Sequence, residues 1–106
     1  MLWNCVVRLA KTPALVNLDW TTTFTPPLLR KDLDLGLQAA RELGVSMPVT
    51  AATREALQSH FGSASLKDDP EGYLAADFSA LIETVALQAG IKLVSENKDV
   101  KTGLEV

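Results

Sequence analysis

Apolar residues recur at helical spacing along most of this chain, and prolines and glycines mark where each run begins or ends. The run from Leu2 to Ala10 predicts a short first helix, which Pro13 closes by removing a backbone donor. Pro26, followed by a second proline, opens a longer helix, because a proline in the first turn has its φ angle already set. Gly44 is a natural end for it. Its predicted buried stripe is Leu29, Leu33, Leu37 and Ala40, widened by Leu28, Leu35 and Leu43.

Two more helices are predicted in the second half of the chain. Pro48 starts one that Gly62 stops. Asp77, well suited to accept an orphan amide proton as an N-cap, starts another that Gly90 ends. The predicted buried face of the earlier helix is Val49, Ala52, Ala56, Leu57 and Phe61. That of the later helix is Phe78, Leu81, Ile82, Val85, Ala86 and Ala89. Three strong helices and a weaker first one indicate an all-α fold, a small helical bundle.

The segments between these helices are predicted to lack regular structure. Residues 19–25 are β-branched and aromatic, but no second convincing strand exists to pair with them, so they form an extended connection. Residues 63–72 are a polar loop, and residues 91–106 form an extended, partly mobile tail. Residues 1–106 therefore make a single all-α domain. Because so short a chain covers such apolar helices only in part, either it dimerises or it was cut from something larger.

Composition and charge narrow the class of protein. Hydrophobic residues make up 47% of the chain and charged residues 22%, which is typical of a globular protein. The net charge of −3 argues against nucleic-acid binding. The single Cys5 forms no intrachain disulfide and, with His60 as its only partner, no recognisable metal set. Arg8 and Lys11 interrupt the apolar N-terminal segment, so no signal-peptide core or membrane span is predicted there. These features predict a cytoplasmic protein that binds neither metal, membrane nor nucleic acid.

The sequence contains no general catalytic motif, such as a glycine-rich phosphate loop, a nucleophile elbow or an oriented Cys/His pair. His60 lies near a helix end, where the helix dipole favours a protonated histidine, and a structural or surface role is the main expectation. Lys31 lies near the start of the leucine-rich second helix, beside Asp32 and Asp34, where the dipole disfavours a cation. Two interpretations stand: Lys31 faces water, or it binds a carboxylate or phosphate held beside this helix start.

Two stretches of the chain carry a family likeness. The stretch TTTFTPPLLRKDLDLGLQAARELGVSMPVT, followed after a loop by DFSALIE, resembles the C-terminal helical domain of the β-hydroxyacid dehydrogenase family. That family is typified by 3-hydroxyisobutyrate dehydrogenase, and 6-phosphogluconate dehydrogenase has a similar C-terminal domain. A phenylalanine, a KDL motif, a glycine and a proline before the next helix, and a D-x-S-A helix start occur in the family's order. The likeness extends from about Trp3 to the tail.

The resemblance implies an oxidoreductase that acts on small 3-hydroxy acids with NAD or NADP. In such enzymes a Rossmann domain and an all-α domain enclose the active site between them. By resemblance, Lys31 is the KD lysine on the cofactor side of the cleft, Phe24 lines the pocket, and Asp77 is the aspartate at the later helix start. The interpretation of Lys31 therefore shifts toward a cofactor or substrate contact.

The chain also departs from the family pattern. It has no G-x-G-x-x-G fingerprint, and hence no backbone cradle for a dinucleotide, and it lacks the family's catalytic lysine and the glycine-rich segment around it. The leading expectation is a truncated, catalytically inactive C-terminal domain that forms a homodimer and binds no cofactor alone. One alternative is the substrate domain of a complete NAD(P)-dependent oxidoreductase whose Rossmann partner is encoded separately or removed. Another is a small organic-anion binding protein that uses Lys31.

Overall fold

The protein is all-α, as the apolar spacing predicted. A computed structural model describes residues 11–100, in which there is no β-strand. The α-helices are α1 (Thr12–Asn17), α2 (Pro26–Leu43), α3 (Pro48–Ala64), α4 (Pro70–Ala75) and α5 (Leu81–Gln88), and a 3-10 turn at Phe78–Ala80 leads into α5. No helix of the described part is long and apolar enough to cross a membrane.

The start of the described chain differs from the sequence prediction. The helix predicted for residues 2–10 lies outside the described residues. Pro13 does not close a helix, since it lies in the first turn of α1. Proline is tolerated there because the first-turn N–H has no partner within the helix. Leu18 ends α1 in the left-handed region, with φ 51°.

Helix α2 has both of its predicted boundaries. Thr25 caps its start, where the hydroxyl oxygen accepts a hydrogen bond from the Leu28 N–H at 3.4 Å. Gly44 ends it with φ 69°, a conformation that suits a residue without a Cβ. The inward stripe is narrower than predicted. Ala40 is buried, whereas all three leucines that were predicted to widen the buried stripe are exposed: Leu28, Leu35 and Leu43.

Helix α3 is the central element, because it packs against α2, α4 and α5. Its buried residues are Leu57, His60 and Ala64, spaced at i, i+3 and i+7. The predicted face was wrong at three positions, since Val49, Ala52 and Ala56 are exposed. Ala52 and Ala56 lie about 140° and 100° around the helix from Leu57, and Val49 lies in the first turn.

Helix α5 also presents a different face from the one predicted. Ala80, Thr84 and Ala86 are buried in and around it, whereas Ile82 and Val85 are exposed by 38% and 45%. Ala89, also predicted to be buried, is exposed. The small residues are the ones that face the rest of the fold, so the bulkier apolar residues are left outside. An apolar face of α5 is therefore open.

The predicted loop at residues 63–72 is partly helical. Helix α3 continues two residues beyond Gly62, and α4 begins at Pro70. Asp69 caps α4 by accepting a hydrogen bond from the Gly72 N–H at 3.0 Å. The cap and the proline were visible in the sequence, but the six residues of α4 are too few to show an apolar period.

The extended connection and the tail both pack on helices. Residues 19–25 carry neither helix nor strand, as predicted, and lie against the start of the 3-10 turn: Trp20 O and Phe24 O accept hydrogen bonds from Asp77 N and Phe78 N. Residues 91–100 also lack regular structure. They bond to the end of α1, where Asn17 exchanges two hydrogen bonds of 2.8 Å with the Lys98 backbone. The last six residues of the predicted tail lie outside the described part.

Candidate functional site

The extended connection and the start of the 3-10 turn meet at one buried carboxylate, that of Asp77, which is 1% exposed. Its Oδ1 accepts hydrogen bonds from Thr23 N at 3.1 Å, Thr23 Oγ1 at 2.8 Å and Phe24 N at 3.0 Å. Its Oδ2 accepts from Lys11 Nζ at 2.7 Å, from Ser79 N at 3.1 Å and from the Ser79 hydroxyl. We call these five residues the Asp77 cluster. They join three separate segments of the chain.

Lys11 is held in this cluster by more than its ion pair. Its Nζ also donates to Thr23 Oγ1 at 3.1 Å and lies 4.5 Å from the centroid of the Phe78 ring. The Phe78 ring in turn meets that of Phe24 edge to face, with centroids 6.3 Å apart. No local sequence pattern indicates this role for Lys11, because 66 residues separate it from Asp77.

The electrostatics of the cluster keep Asp77 ionised. Burial raises the pKa of the Asp77 carboxyl, but the hydrogen bonds from Lys11, Ser79 and Thr23 outweigh burial and hold that pKa far below its usual range. The predicted N-cap role is confirmed by the bond from Ser79 N. Because both oxygens are engaged by the protein's own donors, the geometry makes Asp77 a residue that positions its neighbours.

Lys31, the principal residue predicted for the site, lies on the outside of α2. Its side chain is exposed and makes no hydrogen bond or ion pair with any residue from 11 to 100. The neighbouring Asp34 is instead paired with Arg54 of α3, at 2.8 Å between Oδ1 and Nε. The structure thus joins two of the three predicted residues, Phe24 and Asp77, by a direct hydrogen bond. It leaves Lys31 free of both.

A second buried polar group links α3, α4 and α5. His60 is fully buried, and its Nδ1 lies 3.0 Å from Thr84 Oγ1 and 3.3 Å from the Tyr73 hydroxyl. The Tyr73 ring packs on the imidazole with centroids 4.7 Å apart. His60 Nε2 is buried and has no hydrogen-bond partner. We call these three residues the His60 cluster. The helical spacing of Leu57, His60 and Ala64 was the signal that could have revealed it.

His60 has the structural position that was one of its two expected roles, and burial also affects the charge of its ring. A place near a helix end suggested a protonated imidazole, but burial lowers its pKa. Glu83 raises that pKa in part, and the positive charge of Lys67 lowers it further. A neutral ring fits the surroundings, since its partners are two hydroxyl groups rather than a carboxylate. Desolvation is therefore the largest of the effects on the His60 pKa.

Neither the Asp77 cluster nor the His60 cluster forms a metal site. Between residues 11 and 100 there is no group of three histidine, cysteine, aspartate or glutamate side chains that could hold a metal ion. Comparisons with protein-family models and with curated proteins find no match to this chain. Function is therefore inferred from its own residues and motifs.

The Asp77 cluster predicts a large cost for removing its acceptor. Asp77→Ala leaves the half-buried Lys11 and the backbone N–H groups of Thr23, Phe24 and Ser79 without their acceptor and removes an N-cap, so we expect a loss of roughly 3 to 5 kcal/mol in the free energy of unfolding. Urea denaturation followed by circular dichroism measures it. Asp34→Ala, which breaks an exposed ion pair, is the matched control and should change stability little. Equal effects of the two substitutions would contradict the assigned role.

The lowered pKa of His60 predicts a pH dependence. An unfolded chain takes up a proton on histidine as the pH falls through about 6.5, while the folded chain resists it. The free energy of unfolding should therefore fall between about pH 7 and pH 5, by at most about 1.4 kcal/mol per pH unit. Urea midpoints at several pH values measure this slope. His60→Gln should flatten it, and an unchanged slope in that variant would rule the histidine out as its source.

Proposed function

We propose that this chain is the substrate-side helical domain of an NAD(P)-dependent oxidoreductase related to the 3-hydroxyisobutyrate dehydrogenases, without dehydrogenase activity alone. The observation that carries the proposal is the hydrogen bond from Phe24 N to Asp77 Oδ1. Phe24 belongs to the F…KD motif and Asp77 to the D-x-S-A motif, 53 residues apart. One residue from each of two motifs that resemble one family thus meets the other at a buried carboxylate, and their hydrogen bond holds the segment leading into α2.

Lys31 is the residue that we assign to the cofactor or substrate side. Lys31 lies on α2, the helix that follows Phe24 of the Asp77 cluster. Its ammonium group has no partner among residues 11–100, so it is available to a phosphate or a carboxylate. Phe24 is half-buried against Phe78 and would form part of the pocket wall. A Rossmann partner would supply the dinucleotide cradle and the catalytic lysine, since neither motif occurs in these 106 residues. A cytoplasmic location fits this role and the single Cys5.

The same proposal includes a homodimer that forms through the open face of α5. Leu15, Phe78, Leu81, Ile82 and Val85 line an apolar groove of about 270 Å³, with Lys11 at its edge. We call it the α5 groove and assign a second copy of the chain as its occupant. A twofold contact places a surface against itself, which costs little only where that surface carries no net charge. Here Asp77 neutralises Lys11, so two copies of an acidic chain can meet without repulsion.

The role of Lys31 is tested by adding a separately expressed Rossmann domain, with its interdomain helix, from a 3-hydroxyisobutyrate dehydrogenase. We expect the chain alone to show neither turnover nor saturable NADPH binding. We expect the mixture to show turnover and to bind NADPH saturably. Lys31→Ala should lower kcat/KM of the mixture by about 100-fold, as for other lost electrostatic contacts to reacting groups. Lys98→Ala, an exposed lysine paired with Glu96, is the control. Activity that does not depend on Lys31, or a mixture that never binds NADPH, counts against the assignment.

The proposed dimer is tested by placing a charged side chain in the α5 groove. Ile82→Glu or Val85→Glu would bury two like charges against each other across the twofold contact, so the dimer should dissociate. Sedimentation equilibrium over a range of concentrations gives the association constant. Val49→Glu, at a residue that is 79% exposed on α3, is the matched control and should leave it unchanged. A wild-type chain that stays monomeric at high micromolar concentration would refute the dimer.

A further inference from the structure

A cleft on the other side of α5 contains two lysines that form no ion pair with any residue from 11 to 100. It has a volume of about 520 Å³ and lies between the end of α5, the loop after α3 and the first residues of the tail. The residues that matter for its chemistry are Leu18, Lys67, Glu83, Leu87, Ile91 and Lys92. We call it the Lys67–Lys92 cleft. Its volume is within the range of small-molecule sites, about 300 to 1,000 Å³.

The charge in this cleft is positive although the chain as a whole is acidic. Neither Lys67 nor Lys92 makes an ion pair within the part of the chain that the structure describes. The one carboxylate in the lining, that of Glu83, accepts a hydrogen bond of 2.7 Å from the Trp20 indole N–H and forms no ion pair with either lysine. Lys67 Nζ instead lies 4.9 Å from the centroid of the Tyr73 ring. Two unpaired ammonium groups beside one cavity favour an anion.

The apolar lining indicates what the anion must carry. Leu87 and Ile91 are exposed by 71% and 58%, and both line the cleft. An apolar group of a ligand would cover them and gain free energy in proportion to the area buried. We propose that the Lys67–Lys92 cleft binds a monocarboxylate with an apolar tail, whose carboxylate contacts the two lysines while the tail lies on Leu87 and Ile91.

A singly charged headgroup fits better than a phosphate. The cleft lies at the C-terminal end of α5, near Gly90, where the carbonyl groups carry partial negative charge. That end opposes an anion, and it opposes a doubly charged phosphate more than a carboxylate. The site is distinct from Lys31 and does not depend on the proposed dehydrogenase role.

Isothermal titration of the intact chain with octanoate tests the proposal. Octanoate should bind saturably, whereas octanamide, which lacks the charge, and acetate, which lacks the tail, should bind far more weakly. The double variant Lys67→Ala/Lys92→Ala should weaken octanoate binding roughly five- to thirtyfold, as expected for two solvent-accessible charge contacts. Lys98→Ala is the matched lysine control and should have no effect. All three substituted positions are on the surface, and thermal melts verify that the variants stay folded.

A second readout uses the only histidine of the chain, His60. The positive charge of Lys67 helps to lower the pKa of His60, so a bound carboxylate should raise that pKa. Proton NMR of the imidazole gives it with and without octanoate. The proposal is overturned if octanamide binds as tightly as octanoate, if inorganic phosphate competes more strongly than acetate, if the double variant binds normally, or if the His60 titration does not move.

Discussion

The buried carboxylate of Asp77 is the interaction on which the rest of this fold depends. Among residues 11–100 the buried apolar side chains are few and mostly small: Pro26, Leu57 and four alanines. Residues 19–25 have no helix or sheet to satisfy their backbone, and the carboxylate binds two of their N–H groups. It also fixes Lys11 ahead of α1 and caps the turn into α5. One ionised group therefore joins three segments of the described chain that a larger apolar core would otherwise hold together.

Each polar cluster includes a residue of the same short stretch, between Asp77 and Thr84, which also contains Glu83. Asp77 holds the extended connection, Thr84 ties α5 to His60 of α3, and Glu83 accepts the Trp20 indole proton. The start of α5 is thus oriented by hydrogen bonds, which have a specific direction, more than by apolar packing, which has none. This explains why its small and polar residues face inward and its large apolar residues line an open groove.

The sequence predicted what local chemistry determines and failed where distant contacts decide. The bounds of α2 followed from Pro26 and Gly44, and the cap at Asp77 from its place before an apolar run. The inward faces of α3 and α5 did not follow, because hydropathy ranks valine and isoleucine above histidine and threonine, whereas hydrogen bonds reverse that order here. At the candidate site, the resemblance indicated Phe24 and Asp77. No local pattern could indicate Lys11.

The titratable groups of residues 11–100 divide into buried ones that serve the fold and exposed lysines that a ligand can reach. A catalytic acid or base needs both a shifted pKa and access to a substrate. The two most buried titratable groups, Asp77 and His60, lie inside hydrogen-bonded clusters and line neither the α5 groove nor the Lys67–Lys92 cleft. The lysines that face solvent, Lys31 among them, can attract an anion and hold it. Under the proposed function, the group that transfers a proton would be supplied by the Rossmann partner.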